Sequence, residues 1–316
     1  MLVQGSIKRE EEIAVVFVTM NRSAIAKTCL DHLANQTLLP AKVIVINNAS
    51  EDDTEEVLNA ASNQHPDWLE VINLPENLGN AGGMEIALER VFSGQYSAAW
   101  ILDDDSWPDP DALERLANAA VPEFAVRSSR VVDKASGELS WPVQVKAQNG
   151  WDLLEGADRL PEDEVFRIRR SWLGALIPRD VYRKVGPVNG RLFIRGEDED
   201  YPRKIERAEI PVFMVSSSLL HHPPAGPMDC WQFAGHTIIM EKNLHGDRLY
   251  YRLRNLWWII RNDRSLLIAL IAAILDGIAL ARWRNFSIDW LPIWYEAFCD
   301  AMMDRLGKRK APEQPR

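Results

Sequence analysis

Apolar positions in the first hundred residues come as short continuous runs, each followed by a polar loop and a segment of helical spacing. Ile13 to Val18, Lys42 to Ile46, Leu69 to Leu74 and Ser97 to Leu102 are four such runs. They are continuous rather than alternating, as strands covered on both faces are. The segments between them predict helices from Ser23 to about Gln36, from about Thr54 to Ser62, and from about Met84 to Phe92. Ser23 is the N-cap candidate of the first, and Ser50 with Asp53 approximates a capping box for the second. Strand, loop and helix in this rhythm predict an open α/β sheet. Ligands of such sheets bind at the carboxyl ends of the strands. Thr19, Asn47 to Ser50, Gly79 to Gly83 and Asp103 to Asp105 all fall there.

From about Val121 the pattern loosens. Phe124 to Val132 and Ser140 to Val145 predict strands, Asn149 to Asp163 a loop, and Ser171 to Ile177 a further apolar segment before a short helix over Arg179 to Val185. Arg195 to Tyr201 opens a helix reaching Ala208, Pro211 to Ser216 is a strand, and Leu219 to Pro224 ends the region. After about Met240 the spacing turns helical over Asp247 to Arg261, Leu266 to Trp283 and Trp290 to Leu306, and the polar tail Lys308 to Arg316 is expected to be disordered.

Composition narrows the classes. The 316 residues are 47% hydrophobic and 26% charged, an ordinary globular make-up. A net charge of -10 argues against nucleic acid as a partner. Three widely spaced cysteines suggest neither a disulfide framework nor a zinc site, which favours a reducing, cytoplasmic setting. No signal peptide is expected, since acids at Glu10 to Glu12 precede the first apolar run. Residues 242–284 hold eight Lys or Arg against three Asp, and they flank the apolar run Leu266 to Leu275. That run is too short to span a bilayer, but its setting suits peripheral contact with the inner face of the membrane through the C-terminal helices.

The candidate chemistry lies in W-I-L-D-D-D-S-W-P-D-P-D, residues 100–111. Adjacent carboxylates at a strand end repel one another and resist desolvation, a cost that a hard divalent cation removes. Capping the next helix is the plainer explanation, but Asp109 and Asp111 already suffice for that. A second acidic run, Glu197 to Asp200, suits a helix N-terminus. Asn77 to Gly83 resembles a phosphate cradle without matching a standard glycine motif. Trp141, Trp151 and Trp172 suit either the core or a sugar-stacking platform.

Taken together, these pieces resemble family-2 glycosyltransferases of the GT-A fold, particularly bacterial galactofuranosyl- and rhamnosyltransferase-like members. The resemblance covers about residues 13–262 and rests on V-F-V-T-M-N-R, V-I-N-N-A-S-E-D-D-T, N-L-G-N-A-G-G, the aspartate stretch, R-G-E-D-E-D-Y, H-H-P and Y-Y-R-L-R-N. It implies an α/β GT-A fold, with a mixed, mostly parallel sheet flanked by helices and a C-terminal helical extension. Residues 1–240 would be the catalytic domain, with the nucleotide-sugar half at about 1–120 and the acceptor half at about 121–240, and 241–316 the helical region.

By the same resemblance Thr19, Asn21, Arg22, Asn48, Asp53, Asn77, Gly79, Gly82, Gly83, Asp103 and Asp104 would contact the nucleotide sugar. Asp103, Asp105 and His222 would hold Mn²⁺ or Mg²⁺. Asp198 would be the catalytic base, with Trp172, Glu197 and Asp200 toward the acceptor. Asn47 departs from the family, many of whose members carry Asp there. The implied reaction is metal-dependent, inverting transfer of a galactofuranose- or rhamnose-like sugar from a UDP- or dTDP-sugar to a glycan or glycolipid hydroxyl, in cell-surface polysaccharide synthesis. Two competing readings remain: a metal-dependent nucleotide-sugar phosphohydrolase, and a non-catalytic carbohydrate-binding protein.

Overall fold

The computed structural model describes residues 13–309, apart from 225, 227, 234–235, 242–243 and 285. In chain order the elements are β1 (Ile13–Thr19), α1 (Ser23–Ala34), β2 (Lys42–Asn47), α2 (Thr54–Gln64), β3 (Leu69–Asn73), α3 (Gly79–Ser93), β4 (Ala98–Ile101), β5 (Trp107–Pro108), α4 (Ala112–Asn118), β6 (Val126–Val132), β7 (Val143–Ala147), β8 (Gly150–Leu154), β9 (Val165–Ile168), β10 (Ala175–Pro178), α5 (Arg179–Val185), α6 (Glu197–Arg207), β11 (Val212–His221), β12 (Met228–Phe233), β13 (His236–Glu241), α7 (Gly246–Asp263), α8 (Leu266–Trp283) and α9 (Leu291–Met302). They divide into two compact units.

The first unit comprises Met1–Leu78, Gly83–Val188 and Tyr201–Pro224. Among the described residues it holds one eleven-stranded sheet in the order β3-β2-β1-β4-β10-β6-β11-β9-β7-β8, with β5 paired to β11. Strands β3, β2, β1, β4, β6 and β11 run the same way, and β10 lies reversed between β4 and β6. The sheet is therefore mixed and mostly parallel, as expected. Its continuous apolar strands have a direct reason. Ala14, Val16 and Val18 enter one buried cluster with Met84, Leu88 and Val91 of α3, while Ile13, Val15 and Phe17 enter another with Cys29, Leu33 and Leu113. Successive side chains of a strand point to opposite faces, and here both faces are covered.

Several local expectations are corrected. Helix α3 begins at Gly79, not near Met84. Gly83 lies within it, where a Cβ would come 2.8 Å from the Val18 side chain, so that glycine permits close helix–strand approach. The Ser50/Asp53 capping box does not form: no Asp53 side-chain bond caps α2, and Thr54 N donates to Asp52 instead. Nor does Ser23 cap α1; it is the first helical residue, after Arg22. The expected loop from Asn149 contains β8, which returns along β7 in a tight hairpin with Gly150 at φ +140. Strand β11 runs on to His221 through a register shift between Val215 and Leu219.

The second unit comprises Gly79–Gly82, Asn189–Asp200 and Ala225–Arg316. Its core gathers Leu249, Leu253 and Trp257 of α7 with Ala273 and Leu280 of α8 and Ala297 and Ala301 of α9. The hairpin β12–β13 had no helical or strand signal in the expectations above. Helix α9 stops at Met302, short of Leu306. The expected disordered tail is ordered at its start, because Arg309 bonds Glu296 and Asp247, and its backbone N–H bonds the Tyr251 hydroxyl. Residues 310–316 lie outside the described residues.

Candidate active site

Topology explains how residues over a hundred positions apart meet in the first unit. Strands β1, β4 and β11 end on the same edge, since all three run in one direction. After the aspartates, the short strand β5 pairs antiparallel to β11, with Trp107 opposite His221 and Pro108 opposite Leu220. That pairing draws the loop after β4 against the end of β11. His222 Nε2 lies 3.0 Å from Asp105 Oδ1 and 3.8 Å from Asp103 Oδ2. One ligand atom from each of the three lies within 4.8 Å of the others. The set offers two carboxylates and an imidazole, a mixed oxygen and nitrogen donor group that suits Mn²⁺ and fits Mg²⁺ through its oxygens.

Burial and charge compete here. Burial would raise the Asp105 pKa, but the hydrogen bond and charge of His222, aided by Arg22, hold it below the ordinary carboxylate range. Burial would likewise lower His222, and its bond to Asp105 with the charges of Asp105 and Asp103 raises it instead. His221 turns to a different partner, with Nε2 2.9 Å from Asp109 Oδ1. Of the two histidines, His222 is the one beside the acid pair.

Asp104 faces away from this trio in its bonding. It is 5% exposed, accepting from Thr19 Oγ1 at 2.8 Å and from Arg22 Nη1 at 2.6 Å. Burial pushes its pKa up, against those two partners. Arg22 also reaches Asp105 Oδ2 at 3.1 Å, so one guanidinium spans two of the three aspartates. None of them caps α4; Asp111 directly precedes that helix.

The remaining loops at the strand ends are tied together. Asn48 Nδ2 donates to Asn77 Oδ1, and Asn48 Oδ1 accepts from Leu78 N. Asn21 has φ +54, accepts from Glu51 N, and donates its own N–H to Ser50. Asp53 is exposed. Asn47, where the resemblance led to Asp, is buried and donates to Asn73 Oδ1 at 2.9 Å. An aspartate could not make that bond, having no donor when ionised.

The acidic run of α6 begins in the second unit. Glu197 is 4% exposed and accepts from Asn80 Nδ2 at 2.8 Å and from Gly196 N. Asp200 is 5% exposed, while Asp198 is exposed. Protein crowded around the Asp198 carboxyl raises its pKa, the Glu199 charge adds to that, and Arg252 and Arg195 oppose it. Gly79, at φ +73, lies against the Phe193 carbonyl, which accepts from Ala81 N, and Gly82 follows in the same helical turn. In the first unit Trp172 is 8% exposed and edge-on to Tyr201. Trp172, Glu197 and Asp200 are thus closed to solvent.

The sequence pattern did not set Trp141 apart from Trp151 and Trp172. Its ring lies 4.8 Å from that of His222, and Ser140 Oγ donates to the His222 carbonyl. More than eighty residues separate these partners, and no periodicity links them.

Solved structures share the fold. GalNAc-T7 with UDP, GalNAc and Mn²⁺ superposes with a TM-score of 0.58 at 15% identity, over 79% of this chain and 48% of that one. TarS of S. aureus gives 0.56 at 15% identity, over 92% of this chain and 49% of that one. This chain thus spans about half of each, and the likeness is one of fold: GT-A, a sheet flanked by helices with a C-terminal helical part. The chain belongs to glycosyl transferase family 2, whose model matches residues 14–178. Among curated relatives, the galactofuranosyltransferase GlfT1 of Mycolicibacterium smegmatis is 25% identical over 219 residues, 67% of this chain and 71% of its own length.

Proposed function

We propose that this glycosyltransferase is metal-dependent and inverting, moving a galactofuranose- or rhamnose-like sugar from a UDP- or dTDP-sugar to a hydroxyl of a glycan or lipid-linked acceptor. The observation that carries the reading is the convergence of Asp103, Asp105 and His222 at one edge of the sheet. It is supported by the name of the GlfT1 relative and by the UDP and Mn²⁺ in the GalNAc-T7 structure.

The catalytic domain in this reading is about 1–240, its first half holding the nucleotide. Asp103, Asp105 and His222 would hold Mn²⁺ or Mg²⁺, which when bound supplies Lewis-acid stabilisation of the leaving diphosphate. Arg22 adds a positive charge beside Asp105, and Thr19 keeps the Asp104 carboxylate oriented. Thr19, Asn21, Asn48, Asp53 and Asn77 would contact the nucleotide. Asp198 would accept the proton of the acceptor hydroxyl as it attacks, the role a solvent-reaching carboxylate of raised pKa suits. Attack opposite the leaving group inverts the anomeric carbon.

Peripheral membrane contact belongs to the same reading. Helix α8 exposes Leu267, Ile271, Ile274 and Ile278, spaced four, three and four residues apart, so they form one stripe. Exposed Arg264 and Arg282 stand at its two ends, suited to anionic lipid. Flotation with anionic and neutral vesicles tests this, and equal binding to both would remove it.

The main test is mass spectrometry of a UDP- and dTDP-sugar panel incubated with Mn²⁺, with and without a membrane glycolipid extract. The proposal expects acceptor-dependent transfer that EDTA abolishes and Mn²⁺ restores. Donor cleavage at the same rate with and without acceptor would instead make the protein a phosphohydrolase.

A further inference from the structure

We propose that Arg254 and Asn255 of α7 are positioning residues for Asp198, acting through the backbone of residues 192–195. The inference rests on Asp198 as the base and concerns only the second unit.

The segment before α6 holds an unusual conformation. Phe193 has φ 68 and ψ −71, and Ile194 N donates to Leu192 O at 2.9 Å. This is a γ-turn of the rare positive-φ form, and Arg195 follows with φ +60. Neither residue is glycine. Such conformations are costly and persist only where surrounding contacts over-determine them. Asp198 sits three residues beyond Arg195, in the first turn of α6, so the direction in which α6 starts depends on this turn.

The contacts that hold the turn come from α7. Asn255 Nδ2 lies 2.9 Å from Leu192 O, 2.9 Å from Ile194 O and 3.0 Å from Arg195 O. Arg254 Nη2 donates to Leu192 O at 2.9 Å, and Arg254 Nε donates to Asn255 Oδ1 at 2.9 Å, which fixes the amide's orientation. Both side chains are almost fully buried. Arg254 is secured in turn by Gly307 O and by the rings of Tyr250 and Tyr251. Gly196 packs on Asn255 so closely that a Cβ there would meet the Asn255 Cβ at 2.9 Å. The Asn255 amide is spent on the carbonyls of one strained turn, and the Arg254 guanidinium both joins it at Leu192 O and holds its oxygen in place.

Asparagine is suited to this task. Its NH₂ donates, whereas an aspartate would set a negative oxygen against three carbonyls. Losing the clamp lets residues 193–195 relax toward ordinary dihedrals and re-aims the first turn of α6. A displacement near 1 Å at the reacting group can cost about 10²-fold in rate. Donor affinity, which does not depend on Asp198, should persist.

The test is a double-mutant cycle on transfer kinetics, with UDP-galactofuranose, or dTDP-rhamnose if the panel selects it, plus Mn²⁺ and the glycolipid extract. Asn255→Ala should lower kcat about 10²-fold while the donor dissociation constant by calorimetry stays within about twofold. In the Asp198→Asn background the same substitution should cost almost nothing more, because residues acting as a unit are non-additive. Trp257→Phe is the control for simple destabilisation. It removes a buried bond from α7 to Asp276, and should lower Tm with kcat unchanged. If Asn255→Ala does not fold, Gly196→Ala displaces the same contact from the other side and should behave alike. Additive losses in the Asp198→Asn background, or a wild-type kcat for both Asn255→Ala and Gly196→Ala, overturn the proposal. Wild-type turnover by Asp198→Asn alone would instead refute Asp198 as the base, a distinguishable result.

Discussion

Three adjacent aspartates close strand β4, and four adjacent acids open helix α6, yet the two runs are stabilised differently. In the first, the partners are side chains from the segments that follow distant strands: Arg22 bridges Asp104 and Asp105, and His222 bonds Asp105. In the second, the helix N-terminus favours negative charge, Asn80 and the Gly196 amide serve Glu197, and the charges of Arg195 and Arg252 act on Asp198. One run is met directly by basic side chains. The other meets a backbone amide and a neutral side-chain amide at Glu197, and the more distant charges of Arg195 and Arg252 at Asp198. Acids that look alike in sequence thus meet different surroundings, which is the basis for the proposal that the first run holds a cation and the second accepts a proton.

The comparison can be broken most forcefully at Asp198. Asp198→Asn keeps the shape and removes the basicity, and should reduce kcat by about 10²–10⁴-fold with donor and Mn²⁺ affinity unchanged by calorimetry. Glu199→Gln should be much milder. If Glu199→Gln is inactive and Asp198→Asn is not, the base is the neighbour.

At the other run, Asp105→Asn should lower turnover by about 10²–10³-fold, as loss of a group stabilising leaving-group charge does. Unlike Asp198→Asn, it should also weaken Mn²⁺ binding. Reversible silencing of the wild type by EDTA belongs to the same expectation, and full activity after exhaustive chelation would refute it.

A pH profile sharpens the contrast further. Asp198 must be ionised to accept a proton, and its pKa is raised above the usual carboxylate value of about 3.9. Turnover should therefore fall as pH drops through that raised value, giving an acidic limb above the ordinary carboxylate range. Arg252 pulls the value down, so Arg252→Gln should move the limb to higher pH. An unmoved limb would separate it from Asp198.

The smallest effect is expected at Thr19. Thr19→Val removes the donor to the buried Asp104 carboxylate and should cost about 1–3 kcal/mol of stability, read as a lowered denaturation midpoint. Unchanged stability would show that Arg22 alone satisfies Asp104.

The rhythm of four apolar runs established an open α/β sheet with loops at the strand ends, because a strand covered on both faces must be apolar at every position. The D-D-D run could be identified as a problem needing a counter-charge for a similarly local reason: neighbouring carboxylates repel in any fold. Spacing and composition alone could not sort those aspartates; the family resemblance grouped Asp103 and Asp105 with His222, but not Asp104 with Thr19 and Arg22. The sequence also missed the true start of α3 at Gly79, which depends on Val18 lying opposite Gly83 and on Phe193 receiving the Ala81 amide. The resemblance pointed to His222, and the tertiary structure supplies the physical reason it rather than His221 neighbours Asp105: β5 pairs with the last residues of β11. Likewise the Y-Y-R-L-R-N motif reads as an ordinary stretch of helix until Asn255 is seen against three carbonyls of a strained turn. Helical and strand periods report what a residue's own segment buries. They carry no information about a partner sixty or a hundred residues away, and hydrogen bonds to such partners decide where each acid points.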